Sequence, residues 1–188
     1  MDRKQEILEA AEKMFLKYGL RKCTMHDIAK ECGMRKSALY YYFDNRDEIF
    51  MTMIHNRFEK MSVEMKSAIE KASSTKDKLI AFMKKKWQIV HEYKPFMDLF
   101  DEKYMKLEDI VDEQDKMFSF DSECVEHIIR EGIKNEEINV ESVEPLVPMI
   151  LGVTYGSIYA IVKMGAEWDY DKKIKEALKM IYKGIGKE

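Results

Sequence analysis

Apolar residues recur at helical spacing along most of the chain, and few residues are present that could interrupt them. Ile7, Leu8, Ala11, Met14, Phe15 and Tyr18 fall at i, i+1, i+4, i+7, i+8 and i+11, one stripe on one helix face, and Gly19 follows as a left-handed stop. Eight Gly and three Pro in 188 residues supply too little turn chemistry for a many-stranded sandwich or barrel. The chain is therefore expected to be all-α. No segment alternates convincingly as a strand, and no internal repeat is visible.

Composition excludes two classes. With 46% hydrophobic and 36% charged residues, the chain is neither a disordered polyelectrolyte nor a membrane bundle. Pro145 to Val162 is 18 residues long without a charge, but Pro148, two Gly, Thr154, Ser157 and two Tyr dilute it. We expect a buried or subunit-interface helix there, and no membrane contact. Cys23, Cys32 and Cys124 form no C-x-x-C pair and read as reduced thiols. The N-terminal segment lacks the pattern of a signal peptide, so a cytoplasmic protein is expected.

Nine helical segments are expected. After the first, Thr24-Met25-His26-Asp27 fits a capping box that starts a short second helix, which Gly33 ends. A third runs from Arg35 to Phe43 with Leu39 and Phe43 inward. Asn45, with Glu48 three residues on, caps a long fourth helix that lasts until Ser73-Ser74-Thr75. Ser74 and Asp77 cap a fifth, which the Lys94-Pro95 step should end. A sixth covers Pro95 to Ile110, and residues 112–120 read as a loop or a loose helix end. A seventh carries Cys124, Val125, Ile128 and Ile129, an eighth covers Ser142 to Met164, and the last carries Ile174, Leu178 and Ile181. The capping signal at Asn45 divides the chain into a head, residues 1–46, and a body, residues 47–188.

The second and third segments make a helix, a Gly turn and a helix, with Ala29 small enough to let the axes cross closely. This is the helix-turn-helix arrangement. Residues 17–46 carry seven basic groups against three acidic ones, whereas residues 51–188 carry 22 basic and 26 acidic, so a basic head sits on an acidic body. The outward face of the third helix presents Arg35, Lys36, Ser37, Tyr40 and Tyr41, with Tyr42 near its end. Such groups bind phosphates, and Lys or Arg near a recognition-helix N-terminus reaches guanine in the major groove.

The run Thr24-x-x-Asp27-Ile28-Ala29-x-x-x-Gly33-Met34-x-x-x-x-Leu39-Tyr40-x-Tyr42-Phe43-x-x-Arg46-x-x-Ile49 strongly resembles the N-terminal domain of the TetR family of bacterial transcriptional regulators. The specific motifs lie within residues 5–50, and beyond them the similarity is one of architecture. The resemblance implies a homodimer that reads a palindromic operator, and a C-terminal domain whose small-molecule effector alters the spacing of the heads. It implies that Thr24 and Tyr40 contact phosphate and that Arg46 stands where Lys is usual. Met25, His26, Lys36, Ser37, Ala38 and Tyr42 would face the groove or its wall. The sequence departs from the family pattern at Arg35, where a Ser or Thr cap is common, and at Met34, where Val is common.

Fifteen Met and 21 aromatic residues are plentiful for this length. Most belong to the core, yet a Met- and aromatic-rich bundle also suits a pocket for a flat or greasy ligand. Met83, Trp87, Phe96, Phe100, Tyr104, Phe118, Met149 and Tyr155 are the candidate lining residues. The sequence names no buried charge as an anchor, and Lys84-Lys85-Lys86 reads as a solvated face. Gly152, Gly156 and Ala160 share a helix face that permits close backbone approach. With Ile174, Leu178 and Ile181 they form the candidate dimer face, a four-helix bundle between two subunits. The competing reading is tight packing within one subunit.

There is no G-x-S-x-G, no H-E-x-x-H and no phosphate-cradling Gly loop, so neither an enzyme nor a metal or other cofactor is expected. The leading function is a ligand-responsive DNA-binding regulator, most often a repressor in the resembled family. The alternative is a helical adaptor that uses its head to bind protein.

Overall fold

The computed structural model describes the backbone of residues 2–97, 107–140, 142–164 and 169–185. Every regular element among them is a helix: α1 (Arg3–Tyr18), α2 (Met25–Glu31), α3 (Lys36–Leu39), α4 (Arg46–Glu70), α5 (Thr75–Met97), α6 (Leu107–Lys134), α7 (Leu146–Met164) and α8 (Tyr170–Ile185). They form two compact units, residues 1–60 with 93–114 and residues 61–92 with 115–188.

The first unit is built on the stripe of α1. Ile7, Leu8, Ala11 and Phe15 are buried with Ile28 and Ala29 of α2, Leu39 of α3, Phe43, and Ile49, Phe50 and Met53 of α4. The Phe15 and Phe50 rings meet edge to face at 5.7 Å. Local capping fixes where the helices begin. Asn45 Oδ1 accepts from the Glu48 amide at 2.8 Å, and Glu48 Oε2 accepts from the Asp44 amide at 2.6 Å. Gly33 holds φ at +63°, the left-handed conformation that the turn between α2 and α3 requires.

In the second unit, Leu79, Phe82 and Met83 of α5, Val125, Ile128 and Ile129 of α6, Ile150 and Leu151 of α7, and Ile174 and Leu178 of α8 are buried. The start of α5 is tied to the end of α6. The Thr75 amide donates to Glu137 Oε2 at 2.8 Å and Lys78 pairs with Glu131 at 2.6 Å. Gly132 allows this approach, since a Cβ there would lie 2.6 Å from the Thr75 side chain.

Three expectations about helix ends are corrected. Pro95 does not end α5, which gives up the bond its amide would have made to the His91 carbonyl and continues to Met97. Residues 112–120 are not a loop: they lie inside α6, which merges the end of the expected sixth helix with the seventh. The stripe there runs through Met117, Asp121, Cys124, Val125 and Ile128, and its apolar period is hidden because one core position holds a carboxylate. The third helix is only four residues long. Beyond Leu39 the chain tightens, with the Tyr41 amide bonding to the Ala38 carbonyl and the Tyr42 amide to the Leu39 carbonyl, three residues back in each case.

Candidate nucleic-acid interface

Thr24 is the N-cap of α2, and its hydroxyl oxygen accepts from the Asp27 amide at 3.3 Å. The Thr24 hydroxyl donates to Asp27 Oδ2 at 2.6 Å, and the Thr24 amide donates to the same oxygen at 2.9 Å. These bonds hold the Asp27 carboxyl below the usual carboxylate range. Thr24 is exposed, but in this structure its hydroxyl proton is committed to Asp27. His26 is also exposed. Met25, expected at the groove or its wall, is turned inward. It is 7% exposed and belongs to the head core, one turn position round from His26.

Across the turn, Met34 returns its amide to the Ala29 carbonyl at 2.9 Å. Arg35 then caps α3 without any side-chain bond to the helix, so its guanidinium projects from the surface. Leu39 is the buried residue of α3, and Arg35, Lys36, Ser37 and Ala38 are exposed around it. Lys36 Nζ lies 5.6 Å from the centre of the Tyr40 ring, a cation–π contact that steadies both side chains. Tyr41 is 86% exposed and its ring meets that of the half-buried Tyr42 edge to face at 5.3 Å. Two cationic groups, one Ser and two Tyr thus stand exposed on and beside α3.

Arg46 is placed differently from the rest. Its Nη1 donates to the carbonyls of Leu20 at 2.7 Å and Cys23 at 3.4 Å, while Nε and Nη2 both reach Asp47 Oδ1. The guanidinium therefore clamps the loop that precedes α2 to the start of α4. Arg46→Ala is expected to lower the stability of the head by about 1.5 kcal/mol, the low end for bonds to a charged group at a site open to water. Arg46→Lys should restore less than half of it, because one ammonium cannot bridge two carbonyls and a carboxylate. Thermal unfolding of the full chain reads this directly, and an unchanged midpoint for Arg46→Ala would show that the clamp is idle.

Of the candidate ligand residues, the structure brings Phe118 and Tyr155 together. Met83 is fully buried, Trp87 is half-buried and stacks at a tilt on His91 at 5.0 Å, and Phe118 stacks on Tyr155 at 6.3 Å. Met149 is 59% exposed and faces outward on α7, which corrects its place in an interior pocket. The side chain of Phe96, and all of Phe100 and Tyr104, lie outside the described residues. Lys86 corrects the reading of Lys84-Lys85-Lys86 as a solvated face. It is fully buried and lies 2.5 Å from the equally buried Asp121. The signal was present in the sequence: Lys86 falls four residues after Phe82 and three before Ile89, in phase with the apolar stripe of α5.

Of the candidate dimer residues, Gly152 and Gly156 are exposed, and a Cβ at either would meet nothing within 4 Å among the described residues. Ala160 and Ile181 are half-buried. Ile174 and Leu178 are corrected to core residues of their own unit, at 2% and 0% exposure. Sequence reasoning passed over Tyr159 and Met180, whose exposed side chains, with that of Met149, add apolar surface to α7 and α8.

A helix-turn-helix head followed by helices defines the class of protein. Residues 7–53 match the family model described as bacterial regulatory proteins, tetR family. The HTH-type transcriptional regulator YhgD of Bacillus subtilis is 34% identical over 70 residues, which are 37% of this chain and 37% of YhgD. The chain thus spans little more than a third of the length of that curated relative. A transcriptional regulator from Cytophaga hutchinsonii is similar over 99% of this chain and 100% of its own, at 26% identity and a TM-score of 0.72. The regulator FadR from Bacillus subtilis, solved in complex with stearoyl-CoA, has the same fold over 94% of this chain and 96% of its own, at 19% identity and a TM-score of 0.70. These relatives are regulators rather than enzymes. No helix of the described residues is long and apolar enough to cross a membrane.

Proposed function

We propose that the chain is a ligand-responsive, DNA-binding transcriptional regulator of the cytoplasm. It binds a palindromic operator as a homodimer, acts as a repressor, and is released by a small, largely apolar or aromatic molecule. Residues 1–46 serve as the DNA-binding domain and residues 47–188 as the ligand-binding and dimerisation domain. The observation that carries this reading is the surface of α3. Arg35, Lys36, Ser37, Tyr40 and Tyr41 stand exposed around a single buried anchor, in a head that matches the family model of bacterial regulatory proteins. His26, Ala38 and Tyr42 flank that surface, and Thr24 is near enough to contact phosphate if its hydroxyl turns from Asp27.

The dimer reading draws on α7. Met149, Gly152, Gly156 and Tyr159 follow one another at i, i+3, i+7 and i+10, which makes one exposed face whose central Gly pair leaves room for a partner helix between two apolar side chains.

Selection from a random duplex pool, followed by titration of the enriched sequence at two salt concentrations, tests the reading. An enriched palindrome with a steep salt slope supports a dimeric regulator. No enrichment and weak binding would favour the adaptor. Against the enriched site, Tyr40→Phe should weaken binding to all sequences, since it removes the hydroxyl but keeps the ring under Lys36. Lys36→Ala should also relax base preference at one position, by about 1–3 kcal/mol. An unchanged titration for Lys36→Ala would remove that residue from the groove.

A further inference from the structure

The second unit holds a polar cluster where α5, α6 and α7 meet. Lys86 of α5 and Asp121 of α6 are both 0% exposed, with Nζ 2.5 Å from Oδ2. The Tyr155 hydroxyl of α7 donates to that same Oδ2, and Lys86 Nζ lies 5.2 Å from the centre of the Tyr155 ring. Burial, together with the Asp121 carboxylate, pushes the Tyr155 phenol far above its usual value, so it remains a donor at any working pH.

The cluster is incomplete. One carboxylate oxygen receives both contacts, and Asp121 Oδ1 has no hydrogen-bond donor among the described residues. An ammonium carries three N–H donors, and Lys86 Nζ has no well-directed acceptor there, only the close approach to Asp121 and the face of a ring. Removing two charges from water costs several kcal/mol each unless their remaining donors and acceptors are filled. What would fill them is a group that gives a hydrogen to Asp121 Oδ1 and accepts one from Lys86.

Charge selects the kind of group. The pair is balanced, so an anion would meet the Asp121 carboxylate and a cation would meet the Lys86 ammonium, each at short range in a dry site. A neutral group with a donor and an acceptor side by side meets neither repulsion. Apolar side chains accompany the cluster: Phe82 and Met83 are buried on α5, Cys124 and Val125 on α6, and Phe118 stacks on Tyr155.

We propose that Lys86, Asp121 and Tyr155 form the polar end of the ligand site of the body. It takes an uncharged hydrogen-bonding headgroup, a carboxamide or a hydroxyl, carried on an apolar chain or ring. This rests on the reading of the body as a ligand-binding domain and names the class of its ligand.

The test uses the purified full-length chain and four probes of equal chain length: decanamide, 1-decanol, decanoate and decylamine. Each is titrated as a competitor of diphenylhexatriene, a hydrocarbon fluorophore that reports an apolar site. Decanamide and 1-decanol should bind at least about tenfold more tightly than decanoate or decylamine, the scale of one hydrogen bond to a buried charge. A single substitution could unfold the body, so the comparison protein is the double variant Lys86→Met with Asp121→Leu, its fold checked by circular dichroism. Its affinity for decanamide should fall by about tenfold.

Equal decanamide affinity in the two proteins would overturn the inference while leaving an apolar ligand site standing. Tightest binding of decanoate or decylamine would overturn the charge argument and with it the inference. If neither diphenylhexatriene nor any decyl compound binds the wild-type chain, the ligand-binding reading itself falls, and the inference falls with it.

Discussion

Lys86→Met is expected to destabilise the body by about 3–5 kcal/mol, the cost of leaving a buried carboxylate without its cation. Asp121→Leu should cost a similar amount, for the converse reason. The two losses will not add. In the double variant both charges are gone, two flexible apolar side chains occupy their volume, and stability should return to the wild-type value or exceed it. Urea unfolding followed by circular dichroism, at one fixed protein concentration because a dimer would shift with dilution, gives the full cycle. Additive losses would mean that Lys86 and Asp121 do not act on each other. In the double variant the Tyr155 hydroxyl loses its carboxylate acceptor, so adding Tyr155→Phe should bring a further small gain.

Leu39→Ala should have the largest effect on the head, a loss of about 2–5 kcal/mol. Helix α3 spans four residues, and Leu39 is its buried side chain. So short a helix has no stability of its own and exists because this side chain is held by the core of α1, α2 and α4. Truncation opens a cavity and also releases the segment that carries Arg35, Lys36 and Tyr40. Binding to every DNA sequence should therefore fall together, in contrast to Lys36→Ala, which should change preference among sequences. Thermal unfolding and operator titration on the same preparation separate the two effects. A Leu39→Ala protein that melts lower yet binds its operator as tightly as wild type would show that α3 is positioned by its flanks, Met34 and Phe43.

The parts of the fold that were legible in the sequence are those decided within a few residues. The Thr24 to Asp27, Ser74 to Asp77 and Asn45 to Glu48 caps close within three residues of chain. The apolar stripe of α1 reads directly as the inner face of its unit. The exposed face of α3 follows from the same arithmetic, with Leu39 inward and Arg35, Lys36 and Tyr40 outward. Met25 was misplaced because the first turn of α2 offers two adjacent residues, and only the packing of α1 decides which one turns inward.

The position of Lys86 on the stripe of α5 was legible, but its pairing was not, for a different reason. Lys84, Lys85 and Lys86 are chemically the same, and burial of the third becomes tolerable only where Asp121, 35 residues further on, arrives opposite it. Neither residue announces its partner, since the attraction acts through space and only once α5 and α6 are side by side. The commitment of Arg46 to the Leu20 and Cys23 carbonyls has the same origin, a contact across more than 20 residues that forms when the head closes. The sequence alone determined most of the helices, most of their starts, and the exposed face of α3, because hydrogen bonds along a helix and its caps are local. The tertiary structure decided which charges are buried, which loop Arg46 holds, and which face of α7 stays open, because those energies depend on what one helix meets on another.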